Sequence, residues 1–223
     1  MIRLNATMEA DPAKACNQDD ATGFIRLNAL RLKSCSQGAE KQNLNRADKS
    51  RVFIRPPTPG DCDAFLAAVR RSRAMHRNWI TPKAKTPATF AKYLKKFETG
   101  PHHGFLVIHR DTGDIVGVIN LNEVIRGNFQ SAFVGYFAFQ PYAGRGLMRE
   151  GLWLVLKYAF QKIKLHRVEA NIQPNNRPSL ALATSCGFVR EGLSRRLAKI
   201  CGRWKDHERW AILAGDFSSK KIK

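Results

Sequence analysis

The segment from Tyr136 to Met148 reads Tyr-Phe-Ala-Phe-Gln-Pro-Tyr-Ala-Gly-Arg-Gly-Leu-Met, an aromatic strand pattern that runs into Gly144-Arg145-Gly146 and then into a helical one. Glycine lets the backbone come close to a ligand, and the first amides of a helix have no partner inside it. A turn of this kind holds phosphate groups, and Arg145 adds a full positive charge beside it. The same glycines also suit an ordinary strand-to-helix turn. Two nucleotide-binding signatures are excluded. There is no Gly-Lys-Ser/Thr for a Walker A loop, and Arg149 stands where the third glycine of Gly-x-Gly-x-x-Gly belongs.

More polar residues follow at short range: the run from His166 to Asn171, the turn from Pro174 to Ser179, then Cys186-Gly187-Phe188 and Glu191-Gly192. His102 and His103 stand beside Pro101 without a supporting carboxylate, a setting in which loop histidines usually face water. The five cysteines, Cys16, Cys35, Cys62, Cys186 and Cys201, are scattered and include no Cys-x-x-Cys pair. That pattern argues against a disulfide framework and a structural zinc site, and for reduced thiols in a cytoplasmic setting. No metal is expected.

These residues must be carried by elements that the sequence marks. Val52–Arg55 reads as a strand stopped by Pro56 and Pro57. Asp61 is placed to cap a helix with Phe65, Leu66 and Val69 on one face, and Thr86-Pro87 opens a second helix that ends before Gly100-Pro101. Strands over Phe105–His109 and Ile115–Leu121 flank the hairpin turn Asp111-Thr112-Gly113-Asp114. A strand over Ala132–Phe139 leads into the glycine turn. The helix after it carries Leu147, Trp153, Leu156 and Phe160 at core spacing. A strand over Arg167–Ile172, a short helix over Asn176–Ser185, a strand start at Phe188–Arg190 and a last strand over Arg209–Ala214 complete the order. This is a mixed sheet with helices on its faces.

Of the 223 residues, 43% are hydrophobic, which supplies a packed core and excludes a wholly disordered chain. The longest apolar runs are too short to cross a bilayer, and no secretory leader is expected. The net charge is +20, and residues 1–50 hold eight basic and six acidic side chains, so +18 of it belongs to the remaining 173. Such an excess suits a polyanionic partner or simply keeps the chain dissolved. Residues 1–50 read as a loosely ordered extension with a short helix near residues 27–32. The repeat of Ile2–Ala6 at Ile25–Ala29 is too short for a solenoid.

Four motifs in order, Gly144–Met148, His166–Asn171 with Pro174–Ser179, Cys186–Phe188, and Gly202-Arg203-Trp204-Lys205-Asp206-His207, resemble the GNAT family of acetyl-CoA-dependent N-acetyltransferases. They look most like its RimJ/RimL-like branch, whose members acetylate the N-terminal alanine of a ribosomal protein. The resemblance implies an α+β fold of GNAT type: a twisted, mostly antiparallel sheet in one domain over residues 51–217, with a basic tail at 218–223. It implies acetyl-CoA as cosubstrate, its pyrophosphate on the amides of Gly144, Arg145, Gly146, Leu147 and Met148. The pantetheine arm would pair with the strand ending at Phe137, Ala138 and Phe139, which should splay from Arg167–Ile172. Asn176 would bind that arm, and Ser179 would lie near the sulfur.

The family's usual tyrosine falls at Ala183 here, so Ser179 is the expected proton donor to the thiolate, with Glu123 or Glu169 as base. The resemblance further implies a ribosomal-protein N-terminus as acceptor, with a small-molecule amine as acceptor, or a non-catalytic acetyl-CoA- or ribosome-binding role, as the alternatives. The basic residues of the early helices read either as faces in water or, given the overall charge, as a surface that docks on ribosomal RNA, and the chain is expected as a monomer or homodimer. An acidic lining for a basic acceptor was expected from Glu98, Glu123, Asp206 and Glu208. Trp79 and Trp204 are placed either to hold the acceptor's side chain or as buried anchors.

Overall fold

The structure, a computed structural model, describes residues 50–80, 82, 84–98 and 100–217. The expected extension up to residue 49 and the tail at 218–223 lie outside the described residues. The elements in chain order are β1 (Val52–Arg55), α1 (Cys62–Arg71), α2 (Arg73–His76), α3 (Pro87–Glu98), β2 (His103–His109), β3 (Ile115–Ile125), β4 (Ser131–Ala138), α4 (Leu147–Lys157), β5 (Arg167–Ile172), α5 (Arg177–Ser185), β6 (Val189–Ile200) and β7 (Arg203–Leu213). The strands form one seven-stranded sheet in the order β1-β2-β3-β4-β5-β7-β6, antiparallel everywhere except between β4 and β5.

Each face of the sheet has its own core. On one, α4 and α5 bury Leu147, Leu152, Val155, Leu156 and Ala183 against Val107, Val134, Val168, Ala170 and Ile172. On the other, α1 and α3 bury Phe65, Leu66, Val69 and Phe90 against Leu106, Ile108, Val118 and Phe139. Alternation along the strands sends neighbouring side chains to opposite cores, which is why β2 is apolar at nearly every position. Two glycines permit close approach. A Cβ on Gly151 would stand 2.7 Å from the Val107 side chain, and one on Gly117 would stand 2.6 Å from the Phe137 carbonyl oxygen.

Three local features differ from the sequence reading. Asp61 precedes α1, but its carboxylate does not cap that helix. It accepts two bonds from Arg55, at 2.7 and 2.5 Å, and bonds from the amide and hydroxyl of Thr58, so it ties the end of β1 to the turn before α1. A short helix, α2, follows α1 after a break at the buried Ser72. The last two strands are twelve and eleven residues long and form a hairpin about Cys201-Gly202, where the sequence marked only the start of one and the end of the other.

The boundary between β4 and β5 shapes everything below. The strands pair at three positions only, Ser131 with Arg167, Ala132 with Val168, and Phe133 with Glu169. Beyond these, β4 continues to Ala138 on β3 alone, and β5 continues to Ile172 on β7 alone. The sheet therefore opens into a wedge with its apex at Phe133 and Glu169. Among the described residues no helix is long and apolar enough to cross a membrane.

Candidate active site

The rim of the wedge is lined by main-chain groups, and the register says which. The amide of Phe139 donates to the Val116 carbonyl at 2.8 Å, so β4 residues at odd positions turn their polar groups to β3. Those of Val134, Tyr136 and Ala138 therefore face the wedge. This corrects the expectation for the strand end: Phe137 and Phe139 contribute apolar side chains to the α1/α3 core, and of the three expected residues only Ala138 turns its main chain to the opening. Its carbonyl already accepts a 2.7 Å bond from His76 Nε2.

After β4 the chain turns through Tyr142, Ala143 and Gly144 to α4. Gly144 and Gly146 take φ values of 79° and 78°, a left-handed conformation that glycine adopts without a steric penalty. Gly146 is the residue before the first helical turn, and its carbonyl accepts from the amides of Arg149 and Glu150. Residues 144–146 are exposed, and among the described residues no acceptor takes the amides of residues 144–148. These amides and the positive end of α4 meet the requirements for a pyrophosphate. The turn is braced from β1: Arg51 donates to the Arg145 carbonyl at 3.1 Å and pairs with Glu150. Burial opposes the charge on Glu150, but hydrogen bonds from Arg51 and Ser50 hold its carboxyl below the usual range. Arg145 lies over the Tyr142 ring.

Across the wedge, Asn176 caps α5 through its Oδ1, which accepts from the Ser179 amide at 3.3 Å. The amide nitrogen of the Asn176 side chain is the end left for a ligand. Tyr136, on β4, sends its side chain across the wedge on the α4/α5 face and donates its hydroxyl to the Ser179 carbonyl at 3.0 Å. Burial pushes this phenol far above its usual titration range, so it keeps its proton. Sequence reasoning missed Tyr136 as a site residue. The available signal was its place on β4, three residues before the strand's expected end. The expected tyrosine position, Ala183, is fully buried in the α4/α5 core.

The two carboxylates expected as bases occupy different places. Glu169 stands at the wedge apex, opposite Phe133, and alternates with the buried Val168 and Ala170, so it projects from the α1/α2 face. Arg167 donates to it at 2.9 Å and also holds Glu191. Glu123 lies in the irregular stretch of β3 beyond the Asn122–Phe133 pair, mostly exposed, with His102 4.0 Å from its carboxylate. It is outside the wedge. Burial pushes the Cys186 thiol up to about 11, which keeps it protonated.

On the α1/α2 face the segment from His76 to Trp79 crosses the open end of the wedge. At one side His76 holds Ala138 of β4, and at the other Gln173, just past β5, donates to the Trp79 carbonyl at 3.4 Å. A cavity of about 440 Å³ opens next to this segment, with Val69, Ile80, Arg70, Arg73, Arg77 and Lys85 in its walls. His76 forms part of the lining, and Cys201 closes it from the β6–β7 turn, its thiol on the Arg77 carbonyl at 3.2 Å. Among the described residues no carboxylate lines this cavity. The acidic lining expected from Glu98, Glu123, Asp206 and Glu208 is not there. Asp206 accepts from the Arg196 amide, and Glu208 is engaged by Arg190 and Trp210. Trp79 is partly buried and Trp204 is exposed.

Residues 51–189 match the acetyltransferase (GNAT) domain family. The chain belongs to this family. It is 31% identical over 172 residues to the probable N-acetyltransferase YjcK of Bacillus subtilis, covering 74% of this GNAT chain and 95% of that protein. It is 35% identical over 108 residues to the [ribosomal protein uS5]-alanine N-acetyltransferase of Escherichia coli, spanning 48% of this chain and 56% of that one. The spermidine N(1)-acetyltransferase of Vibrio cholerae is 29% identical over 174 residues, 77% of this chain and 98% of that one. Among solved structures, Mycobacterium smegmatis RimJ in complex with CoA-disulfide superposes with a TM-score of 0.70 at 25% identity, covering 77% of this chain and 85% of that one. Acetyl transfer with acetyl-CoA as cosubstrate is the chemistry of this fold, and the wedge and glycine turn fit that cosubstrate. Among the described residues no group of three or more His, Cys, Asp or Glu could hold a metal ion.

Proposed function

We propose that this GNAT enzyme transfers acetyl to the α-amine of a protein N-terminus beginning with Ala or Ser, a ribosomal protein being the class to which the uS5-alanine relative points. The observation that carries this reading is the character of the α1/α2 face. Among the described residues, four cations and no carboxylate line its cavity. A polyamine is itself polycationic and would be repelled there, whereas a peptide need carry no positive charge beyond its reacting amine.

The reaction needs no enzyme nucleophile. An α-amine has a reference pKa near 8, so a useful fraction is neutral at pH 7 and modest base help is enough. Glu169, oriented by Arg167 at the wedge apex, takes the proton directly or through one water. The amine nitrogen bonds to the thioester carbonyl carbon, and a main-chain amide of β4 facing the wedge stabilises the oxyanion. As the carbon–sulfur bond breaks, the Ser179 hydroxyl passes its proton to the leaving sulfur while taking one from a solvent water, so that Ser179 ends unchanged, with Tyr136 fixing the first turn of α5 that carries it. The site assigned to the coenzyme is Gly144–Met148 for the pyrophosphate, Val134, Tyr136 and Ala138 for the arm, and Asn176 at its far wall.

Thiol release from acetyl-CoA, measured with Ala- and Ser-starting peptides and with spermidine, tests the reading. Turnover on the peptides and none on spermidine is expected. The reverse overturns it.

A further inference from the structure

The cavity on the α1/α2 face has a chemistry of its own. Arg70, Arg73 and Arg77 are spaced to lie along one side of the α1–α2 segment, and Lys85 approaches from the loop before α3. Among the described residues none of the four cations has a carboxylate within ion-pairing distance, although six such pairs form elsewhere in the molecule. Like charges gathered in a concavity with apolar walls repel one another and focus a positive field on whatever enters. Val69, Ile80 and Pro82 supply those walls. The floor is the buried His76, whose Nε2 is spent on Ala138 and whose Nδ1 has no hydrogen-bond partner. The cavity thus adjoins the rim of the wedge through His76.

We infer that this cavity is a specificity site for an acidic segment of the acceptor, binding carboxylate side chains a few residues behind the amine that is acetylated. This rests on the protein N-terminal reading above and narrows it. The volume, about 440 Å³, suits two or three side chains, and apolar walls beneath charged tips suit the stems and carboxylates of Asp and Glu. A nucleic-acid backbone is favoured less. Its phosphates call for cations spread along a track, whereas these four line a single cavity next to the wedge.

Three peptides that share an N-terminal Ala and carry Asp/Glu, Ser/Gly or Lys at the third to fifth positions provide the test, assayed by thiol release with the full chain at low salt. The acidic peptide should show kcat/KM about tenfold above the neutral one, carried by KM, with the Lys peptide lowest. Arg73→Glu/Arg77→Glu should invert that order while leaving acetyl-CoA affinity by calorimetry unchanged, and the milder Arg73→Gln/Arg77→Gln should flatten it. Equal rates on all three peptides, or an order untouched by both variants, overturn the inference and leave the N-terminal reading standing.

Fluorescence anisotropy of an N-acetylated, labelled acidic peptide reads the site without turnover. If spermidine alone is acetylated, the N-terminal reading falls, and binding of this probe that is lost in the charge-reversed variant keeps the acidic-segment site. No binding removes it. An RNA oligonucleotide that displaces the probe better than an unlabelled peptide of equal charge also overturns the assignment.

Discussion

The two faces of the sheet are built differently. The α4/α5 face, with the wedge rim, is made of main-chain groups: amides freed by a glycine turn and by a helix start, and strand groups freed where two strands part. The α1/α2 face is made of side chains, four cations around a buried histidine. A site made of backbone needs particular residues only where the chain must turn or come close, and those residues fall within one stretch, 136–148. A site made of side-chain charge draws on Arg70, Arg73, Arg77 and Lys85, and each of them alone resembles an ordinary surface residue.

The largest expected effect separates the faces outright. Gly146→Val puts a β-branched residue at φ 78° in the turn, so acetyl-CoA affinity by calorimetry should fall about 100-fold. The acidic probe should still bind. Unchanged cofactor affinity would remove the turn from the phosphate site.

Next comes the anchor of the α1/α2 face. Asp61→Asn breaks the Arg55 pair in a largely buried setting and should cost roughly 2 kcal/mol in urea unfolding. The hydrogen bonds from Arg55 hold the Asp61 carboxyl below its usual range. Its contribution is therefore complete above an unfolded-state pKa of about 4 and is lost as pH falls through the lower folded value. Wild type should lose that stability on acidification, and the variant should show no such component.

A smaller effect lies where the faces meet. Ser179→Ala should lower kcat about tenfold with cofactor affinity retained, and Tyr136→Phe should lower it less, since it removes only the brace on the Ser179 carbonyl. Equal kcat in wild type and Ser179→Ala would take that hydroxyl out of the mechanism. The least effect is expected from Glu150→Gln, about 1 kcal/mol in unfolding, because Arg51 retains its bond to the Arg145 carbonyl.

The legible parts of the sequence were those with a period or a punctuator. Pro56-Pro57, Pro87, Gly100-Pro101 and the Asp111–Asp114 turn bound the elements where they were expected. The β6–β7 hairpin was legible only at its two ends. Most of β6 is exposed, and register shifts at Arg190/Gly192 and Ser194/Ala198 break the alternation that would mark a strand. The splay of β4 from β5 was foreseen from the resemblance, but which residues turn toward it depends on the β3–β4 register, a pairing between distant residues. Glu123 and Glu169 looked alike in sequence. One sits at the wedge apex and the other outside it, because a carboxylate's neighbourhood is set by strand order. Asp61 had the right type for a helix cap, and Arg55 six residues earlier competed for it successfully.

Residues 76–79 fasten the two lips of the wedge, one through the imidazole of His76 and the other through the amide of Gln173. The mouth is thus set from the α1/α2 face: a guest that draws this strap outward would loosen both lips together. Arrival of one substrate would then bear on the grip that holds the other, and the spent carrier would leave most readily while the strap is disturbed.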